Sequence, residues 1–408
     1  MAEGRRGGGN AGPKKLDEEG GSFVADQVSS KIIAFFEERG ISRRDFLKLC
    51  GVSAAALGLS PLMHGPIAEA LAAAARRPSL VWLDFQECLG CTESTVKAVN
   101  PGPAQLLLNI LSADYWEAIM APAGFPATAD LEDQVKKGGY ICVVEGAIPT
   151  RIPQAMTGGT VGTGEAAALR LGPTALETAN RVCKRAAAVV CAGTCSSYGG
   201  VQAAAPNPTG AKGVQAAIGV KTVNLPGCPV NPVWIVTTVV HNLLFKRLPA
   251  LDAHGRPKFI YGQLNHNLCP RRAHFDAGEF VEQFGTTAEA RHLCLYKMGC
   301  KGPATYTNCP LVLWNDRQSW CIGAGAPCIG CTEPDFWDRM MPFYSRLENV
   351  PVPGFLGVEV GADRIGSTLF AATVTGAAIH AGVTAVKRRR RSREQAGQGK
   401  DREGGEER

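Results

Sequence analysis

The stretch Leu80-Val81-Trp82-Leu83-Asp84-Phe85-Gln86-Glu87-Cys88-Leu89-Gly90-Cys91 decides the fold. Its largely apolar start reads as a buried strand that runs straight into a Cys-x2-Cys pair. Tyr140 to Glu145, Ala186 to Cys191 and Lys221 to Leu225 have the same character. Helical stretches separate them: Ala104 to Leu111, Glu165 to Cys183 and Val233 to Phe245. Strands divided by helices predict an α/β domain with a parallel sheet over 79–250. Ligands of such sheets collect beyond the carboxyl ends of the strands. Cys88, Cys91, Glu145, Cys195 and Cys228 each stand at or just past a predicted strand end. Residues some 140 positions apart are therefore expected on one edge.

From 251 to 350 the periodicity fades, Gly, Pro and Asn become frequent, and cysteines crowd together. Such a segment has little regular core of its own, and bound metal is expected to substitute for apolar burial there. Ten cysteines and one histidine are spaced as three sites. The first is Cys88, Cys91, Cys195 and Cys228. The second is His266, Cys269, Cys294 and Cys300. The third is Cys309, Cys328 and Cys331, with Cys321 lying between its members. Three or four thiolates, or three with an imidazole, suit iron–sulfur clusters and zinc alike. Three such sites without a nucleophile signature suggest a path for electrons. Cys142, Cys183 and Cys191 occupy apolar positions and read as core thiols.

The ends of the chain differ from its middle. The 408 residues carry a net charge of +6, but residues 1–78 hold 11 basic and 9 acidic side chains and residues 387–408 hold 9 and 5. The 79–386 stretch is neutral, which argues against a nucleic-acid-binding role. Residues 1–75 read as a leader. Ser42-Arg43-Arg44-Asp45-Phe46-Leu47-Lys48 is a twin-arginine sequence, a mildly apolar stretch follows from Leu49 to Met63, and Ala70-Leu71-Ala72 offers a cleavage site. Phe23 to Glu38 is expected to include a short amphipathic helix. Residues 365–386 contain no Asp, Glu, Lys or Arg and precede the basic tail 387–408. That length is enough for a transmembrane helix, with the tail on the cytoplasmic side.

The motif contexts carry a resemblance. Glu87-Cys88-Leu89-Gly90-Cys91-Thr92-Glu93-Ser94, Gly193-Thr194-Cys195-Ser196-Ser197-Tyr198-Gly199-Gly200, Leu225-Pro226-Gly227-Cys228-Pro229, Asn265-His266-Asn267-Leu268-Cys269-Pro270-Arg271-Arg272 and Pro327-Cys328-Ile329-Gly330-Cys331-Thr332-Glu333-Pro334 occur in this order. Together they resemble the small, electron-transfer subunit of membrane-bound [NiFe] uptake hydrogenases, from about residue 42 to about 386. The resemblance implies a flavodoxin-like domain with a proximal [4Fe–4S] cluster at the first site, a distal [4Fe–4S] cluster at the second and a medial [3Fe–4S] cluster at the third. Cys321 stands where many relatives have proline. It is either a fourth ligand, making the medial cluster [4Fe–4S], or a free thiol. Oxygen-tolerant relatives with a modified proximal cluster carry extra cysteines that correspond to Gly90 and Gly200, so an ordinary cubane is implied.

Glu87 and Glu145 correspond to carboxylates for which proton-relay roles have been proposed, and helix capping is the competing role. The resemblance also implies a large subunit bearing the Ni–Fe centre, export by the twin-arginine route, a C-terminal anchor and a membrane acceptor such as cytochrome b or quinone. On that reading the chain is periplasmic, at the cell membrane. Two alternatives remain: a related subunit of a quinone-reducing respiratory complex, and an exported zinc-binding structural protein.

Overall fold

A computed structural model describes residues 30–38, 42–60, 63–73, 78–98, 102, 112–151, 173–245, 247–346, 349–351 and 359–403. The expected helix over 104–111, the glycine-rich start and the first part of the 165–183 helix lie outside these residues. The chain divides into two units, Met1–Arg346 and Leu347–Arg408.

The first unit is built on five parallel strands: β1 (Ser79–Asp84), β2 (Ser112–Trp116), β3 (Ile141–Glu145), β4 (Ala188–Ala192) and β5 (Val223–Leu225). Their order is β2-β1-β3-β4-β5, the flavodoxin-type order. Leu80 to Asp84 pairs in register with Ile141 to Glu145, which pairs with Ala188 to Ala192. Four of these strands agree with the sequence reading. β2 was not expected, because Ser112-Ala113-Asp114-Tyr115-Trp116 has little apolar signal. It forms as an edge strand on β1 and stacks Trp116 on Trp82, with ring centroids 4.0 Å apart.

Alternation along the strands separates two cores. Val81, Leu83, Cys142, Val144, Val189 and Cys191 face one side with Leu131, Ala179, Val182 and Cys183. That side is covered by α5 (Phe125–Lys137), α6 (Ala175–Cys183) and α8 (Val214–Ile218). Cys142 and Cys183 are fully buried there, with sulfurs 3.8 Å apart, and Cys191 is equally buried, as expected of core thiols. A capping box at Thr174 and Glu177 starts α6.

Leu80, Trp82, Val143, Val190 and Val223 face the other side and pack on α9 (Pro232–Phe245). Here the leader contributes. Its helices α1 (Ser30–Glu37), α2 (Arg43–Ala56) and α3 (His64–Ala73) place Ile33, Phe36, Phe46, Leu49, Cys50, Ala54 and Ile67 in the same core as Trp234, Ile235 and Val240. Phe36 and Phe46 stack at 4.2 Å. Ser42 caps α2 through the Asp45 amide, and Arg43 and Arg44 remain exposed beside it. The Ala70-Leu71-Ala72 segment is helical, within α3. The sequence reads these residues as an export signal, and the fold uses their apolar side chains as a cover for α9. Two short helices, α4 (Gly90–Val96) and α7 (Thr194–Tyr198), leave the carboxyl ends of β1 and β4.

Residues 251–346 contain only short helices and isolated bridges among the described residues. Their own core is small: Val281, Leu293, Leu295, Trp320 and Ile322, with Cys269, Cys300, Cys309 and Cys328 against it. They belong to the same unit as the sheet.

In the second unit, Asn349–Pro351 pairs antiparallel with Glu359–Gly361 and leads into a helix, Ala362–Glu403. This differs from the expected transmembrane helix over 365–386 followed by a separate tail. The helix continues without a break through the basic run, whose Arg, Glu, Gln and Ala residues favour it. Among the described residues no helix is long and apolar enough to cross a membrane. Alanine, glycine and threonine dominate the stretch and His380 interrupts it.

The leader cover makes a prediction. Removing residues 1–75 should uncover α9 and raise the binding of an apolar fluorescent dye several-fold. Phe46→Asp should do the same with the leader still attached. Equal fluorescence from all three proteins would show that the leader does not cover α9.

Candidate metal centres

The first centre forms where the strands end. β1, β3, β4 and β5 finish at Asp84, Glu145, Ala192 and Leu225, and the next turns carry Cys88 and Cys91, Cys195, and Cys228. The four sulfurs lie within electrostatic reach of one another. Glycine makes room for them. A Cβ on Gly193 would lie 2.5 Å from Cys91 Sγ, and one on Gly200 would lie 2.4 Å from Cys195 Sγ; both glycines have left-handed φ values, +91° and +65°. A Cβ on Gly90 would lie 3.1 Å from Cys88 Sγ. The two positions singled out for extra cysteines in some relatives therefore do border this centre.

Glu145 ends β3 and reaches the start of α4. Its carboxylate accepts the Cys91 and Thr92 amides, both at 2.8 Å, and the Thr92 hydroxyl at 2.7 Å. It therefore holds Cys91 in place and caps the helix. Burial raises its pKa despite these donors. Glu87 is different: its Oε2 is buried without a hydrogen-bond partner. Burial, with Glu145 and Glu117 nearby, pushes its carboxyl up to about 7. Asp84 has both carboxylate oxygens buried and unpartnered, and burial pushes it up to about 8, with Glu145 and other carboxylates adding to the effect. Asp84, and the exposed Glu117 near it, extend the acidic group beyond the two carboxylates read from the motif. An acidic residue at the end of a predicted buried strand was the available signal for Asp84.

His266, Cys269, Cys294 and Cys300 line one small cavity with Arg271, Leu295 and Ile322. His266 starts from the short helix Asn265–Leu268 and meets the edge of Phe275 at 4.5 Å. Burial, followed by the charge of Arg272, lowers its pKa, which favours the neutral imidazole that ligation requires. Buried Arg271 donates to the Leu293 carbonyl at 3.0 Å, and its charge reaches Cys269, Cys294 and Cys300.

The third centre brings Cys309, at the start of the helix Cys309–Val312, to the Cys328–Cys331 turn. Cys321 has an exposed residue surface, yet it lies near enough to Cys309 and Cys328 to raise both thiols further. Two bridges tie this centre to the others. Thr194 Oγ1 accepts the Gly227 amide at 2.9 Å and donates to the Cys331 carbonyl. Cys328 accepts at its carbonyl from the Lys301 amide, 2.7 Å away and next to Cys300. The third centre thus lies between the first and the second. A buried ion pair braces its far side: Arg256 contacts Glu333 at 3.0 Å and Asp252 at 2.7 Å.

The donors fit iron–sulfur clusters. Burial pushes the Cys195, Cys300 and Cys309 thiols up to about 12 and Cys328 up to about 11. Such thiols stay neutral alone, and a coordinated metal is what removes their protons. Among the described residues no group of three or more His, Cys, Asp or Glu side chains closes on a single metal ion. A polynuclear cluster gives each sulfur its own iron and does not need that convergence.

Residues 261–344 match the family described as the C-terminal region of the NiFe/NiFeSe hydrogenase small subunit, and residues 88–242 match the 20 Kd subunit of NADH ubiquinone oxidoreductase. The chain is 48% identical over 310 residues to the periplasmic [NiFe] hydrogenase small subunit of Solidesulfovibrio fructosivorans, covering 76% of this chain and 94% of that one. It is 44% identical over 352 residues to the quinone-reactive Ni/Fe-hydrogenase small chain of Wolinella succinogenes, covering 85% and 96%. In structure it resembles the NiFeSe hydrogenase of Desulfomicrobium baculatum, with a TM-score of 0.60 and 35% identity, over 66% of this chain and 99% of that one.

Gly193→Ala should displace Cys91 and strip the first centre. Iron and labile sulfide in the purified protein should fall to the level of the two remaining centres. An unchanged iron content would show that this glycine does not make room for a ligand.

Proposed function

Because the chain belongs to the NiFe hydrogenase small-subunit family, whose members carry iron–sulfur clusters and pair with a large subunit, we propose that its three centres form one row. The first, Cys88, Cys91, Cys195 and Cys228, holds a [4Fe–4S] cluster facing the large subunit. Cys88, Leu89 and Cys228 are exposed there. The third, Cys309, Cys328 and Cys331, holds the middle cluster. The second, His266, Cys269, Cys294 and Cys300, holds a [4Fe–4S] cluster at the exit. The bound clusters supply one-electron transfer, and the chain keeps them in order through Thr194 and Lys301. That pair of bridges is the observation that carries the reading. The 261–344 match favours it over the related respiratory-complex subunit, which has no counterpart of the second and third sets.

The position of Cys321 in the same loop, near enough to Cys309 and Cys328 to perturb both thiols, favours its being the fourth ligand of the middle cluster. The middle cluster is then [4Fe–4S] and not [3Fe–4S]. An oxidised [4Fe–4S]2+ cluster is silent in electron paramagnetic resonance, and an oxidised [3Fe–4S] cluster is not. The oxidised wild type should be silent, and Cys321→Pro should gain the three-iron signal. A wild-type signal that persists in Cys321→Pro would make Cys321 a free thiol. Zinc in place of iron would sink the whole row.

We further propose that the protein works on the periplasmic side of the membrane, exported through Arg43 and Arg44, and passes electrons to a membrane acceptor such as cytochrome b or quinone. Glu87, with its unpartnered oxygen, suits a proton relay better than Glu145, which is occupied in capping α4. The C-terminal helix serves as the membrane attachment. It exposes Phe370, Val374, Ile379, Val383 and Val386 ahead of the basic run Lys387 to Arg391, an order suited to packing on a membrane partner. Cell fractionation tests both ends. Lysine at 43 and 44 should leave the protein in the cytoplasm, and a chain ending at Gly361 should move most of the hydrogenase from the membrane to the soluble fraction. Normal export of the first variant, or membrane sedimentation of the second, would overturn the corresponding assignment.

A further inference from the structure

The sulfurs of the third centre receive hydrogen bonds from buried side chains. Thr307, 1% exposed, places its hydroxyl 3.1 Å from Cys309 Sγ. The same hydroxyl oxygen accepts the Cys309 amide at 3.3 Å. A ligating sulfur carries no proton, so at Cys309 the hydroxyl must be the donor. Asn265, 2% exposed, aims its side-chain amide at Cys328 Sγ, 3.5 Å away. Thr305 also approaches Cys328 Sγ, at 3.8 Å, but its proton is engaged by the Lys301 carbonyl at 2.6 Å. It therefore has nothing left to donate. The third centre thus has Thr307 on Cys309 and Asn265 on Cys328 as side-chain donors, with the Trp314 side chain also beside Cys309.

The first centre differs chiefly in its carboxylates, because there too a side chain, that of Gln202, reaches a sulfur, that of Cys195. Cys91 Sγ accepts the Val230 main-chain amide at 3.4 Å, and the Glu145 carboxylate bonds the Cys91 amide beside it. Glu87 and Asp84 add further carboxyls to the same edge. Donors to sulfur stabilise the more negative, reduced form of a cluster, and neighbouring carboxylates oppose it.

We propose that Thr307 and Asn265 are redox-positioning residues. Their bonds to Cys309 and Cys328 raise the reduction potential of the middle cluster above that of the first and so favour electron movement away from the large subunit. This rests on reading the third centre as a cluster site, and it holds for a three-iron or a four-iron cluster. Neither residue is a ligand, and neither carries charge. Their effect is confined to the sulfurs they touch.

The test uses the purified heterodimer with its clusters in place, poised at a series of ambient potentials and followed by electron paramagnetic resonance. Thr307→Val removes the hydroxyl and keeps the shape. At the wild-type midpoint it should raise the oxidised-to-reduced ratio of the middle cluster about tenfold, a shift of about 59 mV for one electron. Thr307→Ser should restore the wild-type ratio, and the first cluster should not move in either variant. An unshifted ratio in Thr307→Val with full iron content would overturn the proposal. Should Thr307→Val lose the middle cluster's iron, Asn265→Leu makes the same measurement on Cys328, and an unshifted ratio there overturns it equally. Absence of any middle-cluster signal from the wild type in both redox states would overturn the site reading itself, and the proposal with it.

Discussion

The constraint on which the rest depends is the common edge of a parallel sheet. Every strand of such a sheet ends on the same side, so every strand-to-helix turn emerges there. β1, β4 and β5 use those turns for Cys88 and Cys91, Cys195, and Cys228, while β3 sends Glu145 to hold the helix that carries Cys91. The pairing of Leu80 to Asp84 with Ile141 to Glu145 fixes where these turns begin. Gly193 and Gly200 then let the sulfurs come close without a side chain in the way.

Beyond the sheet, order is kept by few apolar contacts. Five buried residues form the core of the 251–346 segment, and four of its cysteines pack against them. The hydrogen bonds of Thr194 and Lys301 and the Arg256–Glu333 pair fix the segment to the sheet edge and to itself. On the proposed reading metal is a structural component here: the thiols are pushed up by burial, and metal binding would both ionise them and close the loops. A cysteine substitution in this segment therefore removes folding energy as well as an electron-transfer step.

The sheet's other large surface is α9, and α1 to α3 cover it. Phe46, Leu49 and Ala54 are apolar enough for an export signal, and that character also buries them on Trp234 and Ile235. Arg43 and Arg44 sit at the exposed start of α2, so the arginine pair is accessible while the apolar residues after it are covered.

Much of the chain's organisation is legible in the sequence. Strand composition identifies four of the five strands, because buried parallel strands are nearly continuous apolar runs. The ordered motifs identify every candidate ligand, because ligand chemistry restricts a position to cysteine or histidine. β2 is not legible, since an edge strand needs little apolar character and gains its place from pairing with β1. The leader's packing is not legible either, because burial on α9 depends on a partner surface some 180 residues away in sequence. An uncharged length of 22 residues suggested a membrane span, and among the described residues no helix is long and apolar enough to cross a membrane. The sequence by itself determined which residues can bind metal and which runs become strands, because both follow from local chemistry. Only the tertiary structure decided which hydrogen bonds tie the third set to the other two, that Glu145 caps a helix while Glu87 Oε2 is unpartnered, and which threonine hydroxyl is free to reach a sulfur. Those outcomes depend on distances between segments that no local pattern encodes.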